Sequence, residues 1–166
     1  MKKYGFALLL MAMFGAMAMG QTSSEELKPA NNKTEYQQSY QWRIKQTSLG
    51  GQYIPIDLND AFNELDKLTE AESRTKFSGL SESDAEHKLF FSLGRWMSVN
   101  WSFYEGSRYS AYLREAGLSY PDDMTSFMLI AYHRYLNKRP VDAKRLIEGY
   151  KAKRKKEQEE RLNKSR

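Results

Sequence analysis

The chain contains no cysteine and only two histidines in 166 residues. Without thiols there are no disulfides, so the fold must hold together by packing alone. Zinc sites built on thiolates are excluded, as is a lipid anchor attached to a cysteine. Two histidines leave little material for any other metal site. Neither a metal nor a cofactor is therefore expected. After the first twenty residues no run is apolar enough to cross a bilayer, which needs about 20 residues. No stretch alternates convincingly as a strand does, and no internal repeat is visible.

Charge of one sign is also scarce in the body of the chain. The formal charge of +5 is placed unevenly, with Lys2 and Lys3 at the start and eight Lys/Arg against three Glu at 151–166. Residues 21–150 carry sixteen Lys/Arg against eighteen Asp/Glu. Nucleic-acid binding needs a basic face on the folded domain, and none is expected here.

What is present begins with an address. Lys2 and Lys3 precede an apolar run at 6–14, and Ala18-Met19-Gly20 places small residues before a cut at Gln21. That layout predicts a signal peptide at 1–20, removed on export, with no membrane span left afterwards. Residues 21–34 are polar and read as a flexible tether. A single domain is expected over 35–150, large enough for one core. The charged tail at 151–166 reads as solvated helix or disorder.

Helical periodicity dominates the domain. Tyr36, Tyr40 and Ile44 suggest a helix over 35–46, ended by Gly50-Gly51. Pro55 keeps Tyr53-Ile54 extended. Asp57 can cap a helix carrying Leu58, Phe62 and Leu65. Thr69-Glu70-Ala71-Glu72 matches a capping box, Ser78-Gly79 a break, and Ser81 with Asp84 another helix start. A long helix is predicted over 82–104. One face would hold Leu89, Phe90, Leu93, Trp96, Met97, Trp101 and Tyr104, with Lys88, Arg95, Ser98 and Ser102 opposite. Gly106 breaks it, Ser107 caps the next helix and Gly117 stops that one. Pro121 then opens a helix to about residue 136, with Asp122 and Asp123 in its first turn. That helix is apolar over most of its circumference, as central helices are, with Ser126, His133 and Asn137 as a narrow polar stripe. Pro140 is expected to start the last helix. The predicted fold is all-α, a compact bundle of five to seven helices with a charged C-terminal extension.

Candidate site residues cluster in 100–137. Arg108, behind Ser107, opposes the dipole of its own helix and so needs a partner. It forms either an anion clamp or an internal clasp to Asp122, Asp123 or Glu105. The paired aspartates could be a general base or metal ligands, but neighbours on a helix point about 100° apart, which suits capping better. His133 has the side chain for acid–base work near neutral pH. It lies about 16 Å along the helix from Asp122 at 1.5 Å per residue, so the two cannot form a dyad. A structural histidine, bonded to Asn137 or a loop carbonyl, is the plainer expectation. Asn100 falls inside an apolar arc and reads as a buried amide tying down a loop. Arg134 and Asn137 complete the polar set. Among the aromatics, Phe103 and Tyr120 are expected at the surface, and the rest in the core. The tail reads as a solvated extension, or as a contact for an anionic surface.

Between residues 45 and 140 the chain resembles a family of uncharacterised bacterial proteins that share a domain of unknown function. The resemblance rests on Tyr53-Ile54-Pro55, Asp57-Leu58, Ala61-Phe62, Leu93-Gly94-Arg95-Trp96 and Asn100-Trp101. Gly106-Ser107-Arg108, Pro121-Asp122-Asp123-Met124 and the run Tyr132-His133-Arg134-Tyr135-Leu136-Asn137 complete it. It implies one compact domain and no assigned activity.

These observations favour an exported, non-enzymatic binding module of the cell envelope, periplasmic or secreted, with an anionic ligand or an envelope protein as partner. A small hydrolase or lyase using His133, Arg108 and Asp122 or Asp123 is the alternative. A purely structural scaffold is the third.

Overall fold

The computed structural model describes residues 31–165. The expected signal peptide lies outside the described residues. The described residues form seven helices, counting one interrupted helix once, together with one small hairpin.

Helix α1 (Lys33–Arg43) begins where the Asn32 side chain accepts a hydrogen bond from the Glu35 amide. It is shorter than the periodicity suggested. Gly50-Gly51 does not end it but turns a two-stranded antiparallel hairpin, β1 (Ser48–Leu49) and β2 (Gln52–Tyr53). Both glycines have positive φ, +53° and +78°, which tight hairpin turns demand. The strands escaped sequence reading because two residues each are too few to show alternation.

Helix α2 (Leu58–Leu68) starts as expected at Asp57, whose carboxylate accepts from the Asp60 amide at 2.9 Å. It buries Ala61, Phe62 and Leu65. The capping box expected at Thr69–Glu72 does not form. The Thr69 hydroxyl donates back to the Leu65 carbonyl at 2.6 Å and lies 3.2 Å from the Tyr132 hydroxyl. Glu70 is the cap of α3 (Ala71–Ser78) and makes no side-chain bond. The threonine side chain bonds back to the preceding helix and meets Tyr132, so it does not cap α3.

Helix α4 (Glu82–Leu89) is capped by Ser81. It runs into a π-helical segment (Phe90–Gly94) and continues as α5 (Arg95–Asn100). The single straight helix predicted over 82–104 is therefore interrupted and ends early. The cause lies at Gly94. A Cβ there would stand 2.7 Å from Thr125 Cγ2 and 3.2 Å from Leu129 Cδ1, so the helix crosses its neighbour with backbone against side chain. The wider π turn shifts the helical stepping locally, although Met97 and Trp101 still face the core as predicted. Ser98, predicted outward, is 7% exposed, whereas Tyr104, predicted inward, is 55% exposed. Past Asn100 the chain folds back at Ser102 (φ +49°). Phe103, expected at the surface, is completely buried.

Helix α6 (Arg108–Ala116) runs from the Ser107 cap to Gly117, whose φ is +114°. Helix α7 (Pro121–Leu136) is the centre, with ten buried residues from Asp123 to His133. The interrupted helix, α3, α6 and α8 all pack against it. Burying a side chain such as Phe127, Met128 or Leu129 stabilises by about 1.5–3 kcal/mol each. Around α7 the rings lock together. Tyr135 stacks on Phe62 at 4.6 Å, Tyr132 on Phe77 at 5.7 Å, and Trp101 meets Tyr109 edge to face at 5.4 Å.

Helix α8 (Ala143–Lys164) starts three residues after Pro140, not at it. Arg134 holds the Val141 carbonyl at 2.8 Å, and Asp142 takes φ +48°. The tail is continuous helix to Lys164, built from Lys, Arg, Glu and Gln, which favour helix. Packing does not stop at Tyr150, because Arg154 still reaches the body. The all-α expectation holds. No described helix is long and apolar enough to cross a membrane.

Candidate binding cleft at the π segment

The sequence-predicted residues fall into three separate places. Ser107 and Arg108 lie at the start of α6. The Ser107 hydroxyl donates to the Trp101 carbonyl at 2.6 Å and accepts from the Ser110 amide at 3.1 Å. Arg108 finds none of the expected carboxylates. Its Nε donates to the Ile54 carbonyl at 2.7 Å, Nη2 donates to the same oxygen, and the guanidinium lies 5.1 Å from the centre of the Tyr53 ring. It fastens the exit of the hairpin to α6. A main-chain carbonyl and an aromatic face satisfy the cation without an acid.

The second place is the carboxyl end of α7. His133 is 3% exposed. Its Nε2 lies 3.0 Å from the Leu80 carbonyl, an atom that only accepts, so Nε2 carries the hydrogen. Nδ1 is buried without a hydrogen-bond partner. Phe77 closes over the ring edge to face at 5.5 Å. Asn137 donates to the Ser78 and His133 carbonyls at 3.1 and 2.9 Å. Arg134 forks onto Glu82 at 2.8 and 2.6 Å. Those hydrogen bonds hold the Glu82 carboxyl below the usual carboxylate range, with the Arg134 charge helping and burial opposing. General acid–base catalysis asks for a group beside an open pocket and within reach of substrate. His133 is sealed in and bonded to the main chain.

The third place is the amino end of α7, where the adjacent aspartates point apart as helix geometry requires. Asp123 is buried and takes a bidentate fork from Arg154 of α8 at 2.7 and 2.6 Å. The same guanidinium covers the Tyr120 ring at 4.4 Å. Asp122 points the other way and accepts from the Tyr104 hydroxyl at 2.6 Å. That hydrogen bond raises the phenol above its ordinary value. Asn100 does not tie down a loop. Its amide donates to the Trp96 carbonyl of its own helix at 2.9 Å.

Beside Asp122 opens a cleft of about 480 Å³ lined by Phe90, Phe91, Arg95, Val99, Tyr104 and Asp122, with Ser98 and Thr125. Its lining mixes apolar side chains with Arg95, Asp122 and two hydroxyl residues. Phe91 is 80% exposed, Val99 60% and Tyr104 55%. Arg95 has no ion-pair partner among the described residues, and its positive charge acts on the Tyr104 phenol. Of these residues only Asp122 stood among the sequence candidates. The only sequence signal was Phe91 itself, a large apolar residue that falls outside the predicted apolar face of that helix.

A family model described as Domain of unknown function (DUF6794) matches residues 54–136. The chain belongs to this family. No curated protein and no solved structure matches it. The DUF6794 region runs from Ile54, the residue held by Arg108, to Leu136 at the end of α7. It therefore contains the cleft, His133 with its Leu80 partner, the Arg134–Glu82 pair and Asp123, while Asn137 lies just past its end. Arg154, which closes on Asp123, comes from outside the DUF6794 region.

Proposed function

We propose that the chain is an exported, non-enzymatic binding module of the cell envelope, and that its cleft takes a short peptide segment of a partner protein. One observation carries this reading. Phe91, Val99 and Tyr104 stand exposed around Arg95, which has no ion pair among the described residues, while most other polar candidates are consumed by internal contacts. Exposed apolar groups clustered around a few polar ones mark interaction sites. π-helical turns are also frequent at functional sites. The preferred segment has an apolar side chain to rest on Phe91 and Val99, followed by a carboxylate for Arg95. Export is supported by the basic, apolar and small-residue order of the first twenty residues.

The test is selection of random peptides displayed on phage against residues 21–166. Enrichment of sequences pairing an apolar residue with Asp, Glu or a free carboxyl terminus is expected. Phe91→Ala should abolish retention, and Arg95→Glu should shift the selected charge from acidic to basic. Peptides retained equally by the wild type and both variants, or no enrichment at all, would sink the cleft as a binding site. The scaffold reading would then stand.

A further inference from the structure

Helix α1 buries none of its residues. An isolated helix shorter than about 12–15 residues is marginal in water, and α1 has eleven. Two of its half-buried side chains, Tyr40 and Arg43, land on the short loop between α5 and α6. Arg43 donates from Nε and Nη2 to the Glu105 carbonyl at 3.1 and 2.5 Å. Its Nη1 donates back to the Ser39 hydroxyl of α1 at 2.5 Å. Tyr40 packs so closely on Gly106 that a Cβ there would stand 2.5 Å from ring carbon Cε2. Gly106 also has φ +99°, so backbone angle and ring both close that position to a side chain. Arg114 of α6 completes the support. Its guanidinium lies 5.5 Å from the centre of the Tyr40 ring, and its Nη2 donates to the Phe103 carbonyl at 3.3 Å.

The residue between these anchors is Tyr104. The carbonyl before it is held by Arg114 and the carbonyl after it by Arg43. Its own side chain lines the cleft and donates to Asp122. Neither Tyr40 nor Arg43 lines the cleft. Their effect there passes through the backbone that carries Tyr104. A wall ordered before binding spares a ligand the cost of ordering it. Helix α1 also lies outside the DUF6794 region, which supplies the cleft itself.

We infer that α1 is a strap on the cleft, with Tyr40 and Arg43 as positioning residues that set Tyr104 through the backbone on either side of it. Lifting α1 off the loop slackens that wall, so the grip of the cleft is controlled from outside the DUF6794 region. The effect on a bound segment rests on the cleft being a binding site, whereas the hold on Tyr104 does not.

The test is NMR on residues 21–166, which carry every described element. Wild type is compared with the double variant Tyr40→Ala, Arg43→Ala and with the conservative pair Tyr40→Phe, Arg43→Lys, which keeps the ring and one donor. The Phe103 and Gly106 amides donate to the Ser98 and Ser102 carbonyls at 2.9 and 2.8 Å. Their hydrogen exchange should quicken about tenfold in the double variant, as local opening becomes easier. The Tyr104 phenol, raised by its hydrogen bond to Asp122, should titrate closer to the ordinary value of about 10. Amides of α7 should exchange as in wild type, and the conservative pair should match wild type throughout. Recovery of the phage-displayed peptide library should fall with the double variant alone.

Unchanged exchange at Phe103 and Gly106, or an unchanged Tyr104 titration, would overturn the strap. Faster exchange throughout α7 would show that α1 steadies the whole fold rather than the loop, and would overturn it too. So would full recovery of the library by a variant whose loop has loosened. If wild type retains no peptide, the cleft falls as a binding site, and the two NMR readouts still decide the hold on Tyr104.

Discussion

The two ends of α7 present similar chemistry to very different surroundings. At the carboxyl end buried His133, half-buried Arg134 and exposed Asn137 are bound by Leu80, Glu82, Val141 and Ser78. At the amino end Asp123 is bound by Arg154, while Asp122 shares an open cleft with Tyr104 and Arg95. A polar cluster in sequence is thus a structural clasp at one end and part of a surface at the other. The residue types do not separate the two cases. What separates them is whether another element packs over that end of the helix.

The largest expected effect breaks the closed end. Arg134→Ala removes the fork on Glu82 and the bond to the Val141 carbonyl, leaving a part-buried carboxylate with only the longer 3.6 Å pair to Arg139. Urea unfolding should show a loss of about 2–4 kcal/mol. A loss under about 0.5 kcal/mol, the range for surface changes, would mean that the two ends do not differ as described.

Gly94→Ala comes next and tests how the open end is built. The added methyl must displace Thr125 or Leu129, and overpacking of this kind costs about 1–3 kcal/mol. Backbone amide shifts at 90–99 should move with it, because the π turn exists to pass this crossing. Unchanged stability and unchanged shifts would remove Gly94 as the cause of the interruption.

The smallest effect is one of pH. The folded-state carboxyl of Glu82 is lowered, chiefly by hydrogen bonds from Arg134. It therefore adds stability above the ordinary glutamate value of about 4.3. That contribution is lost as pH falls through the lowered value. Glu82→Gln should be less stable near neutral pH, and the gap from wild type should close as pH falls below the ordinary glutamate value of about 4.3. A gap that stays constant as pH falls would show that the ion pair does not contribute to acid sensitivity.

Much of the fold was legible because it is local. Asp57, Ser81, Ser107, Gly117 and Pro121 mark helix ends through bonds or backbone angles within a few residues, and all five do so here. The central position of α7 followed from its apolar circumference. Several of the misreadings involve a partner beyond the local stretch. Thr69 is claimed by Tyr132, Arg108 by Ile54, and the stretch after Pro140 by Arg134. The cleft escaped because ideal helical stepping was carried straight through Gly94.

The sequence by itself determined an all-α chain with its caps, its breaks, its most buried helix and its separation into a slightly acidic body and a basic end. These follow from spacing and from contacts within a turn or two. Only the tertiary structure decided which polar residues face inward, where the long helix widens, and that Arg154 joins the last helix to Asp123. Those outcomes depend on how closely two helices approach and on which side chain arrives to complete a buried charge. Neither is encoded in any short stretch of residues.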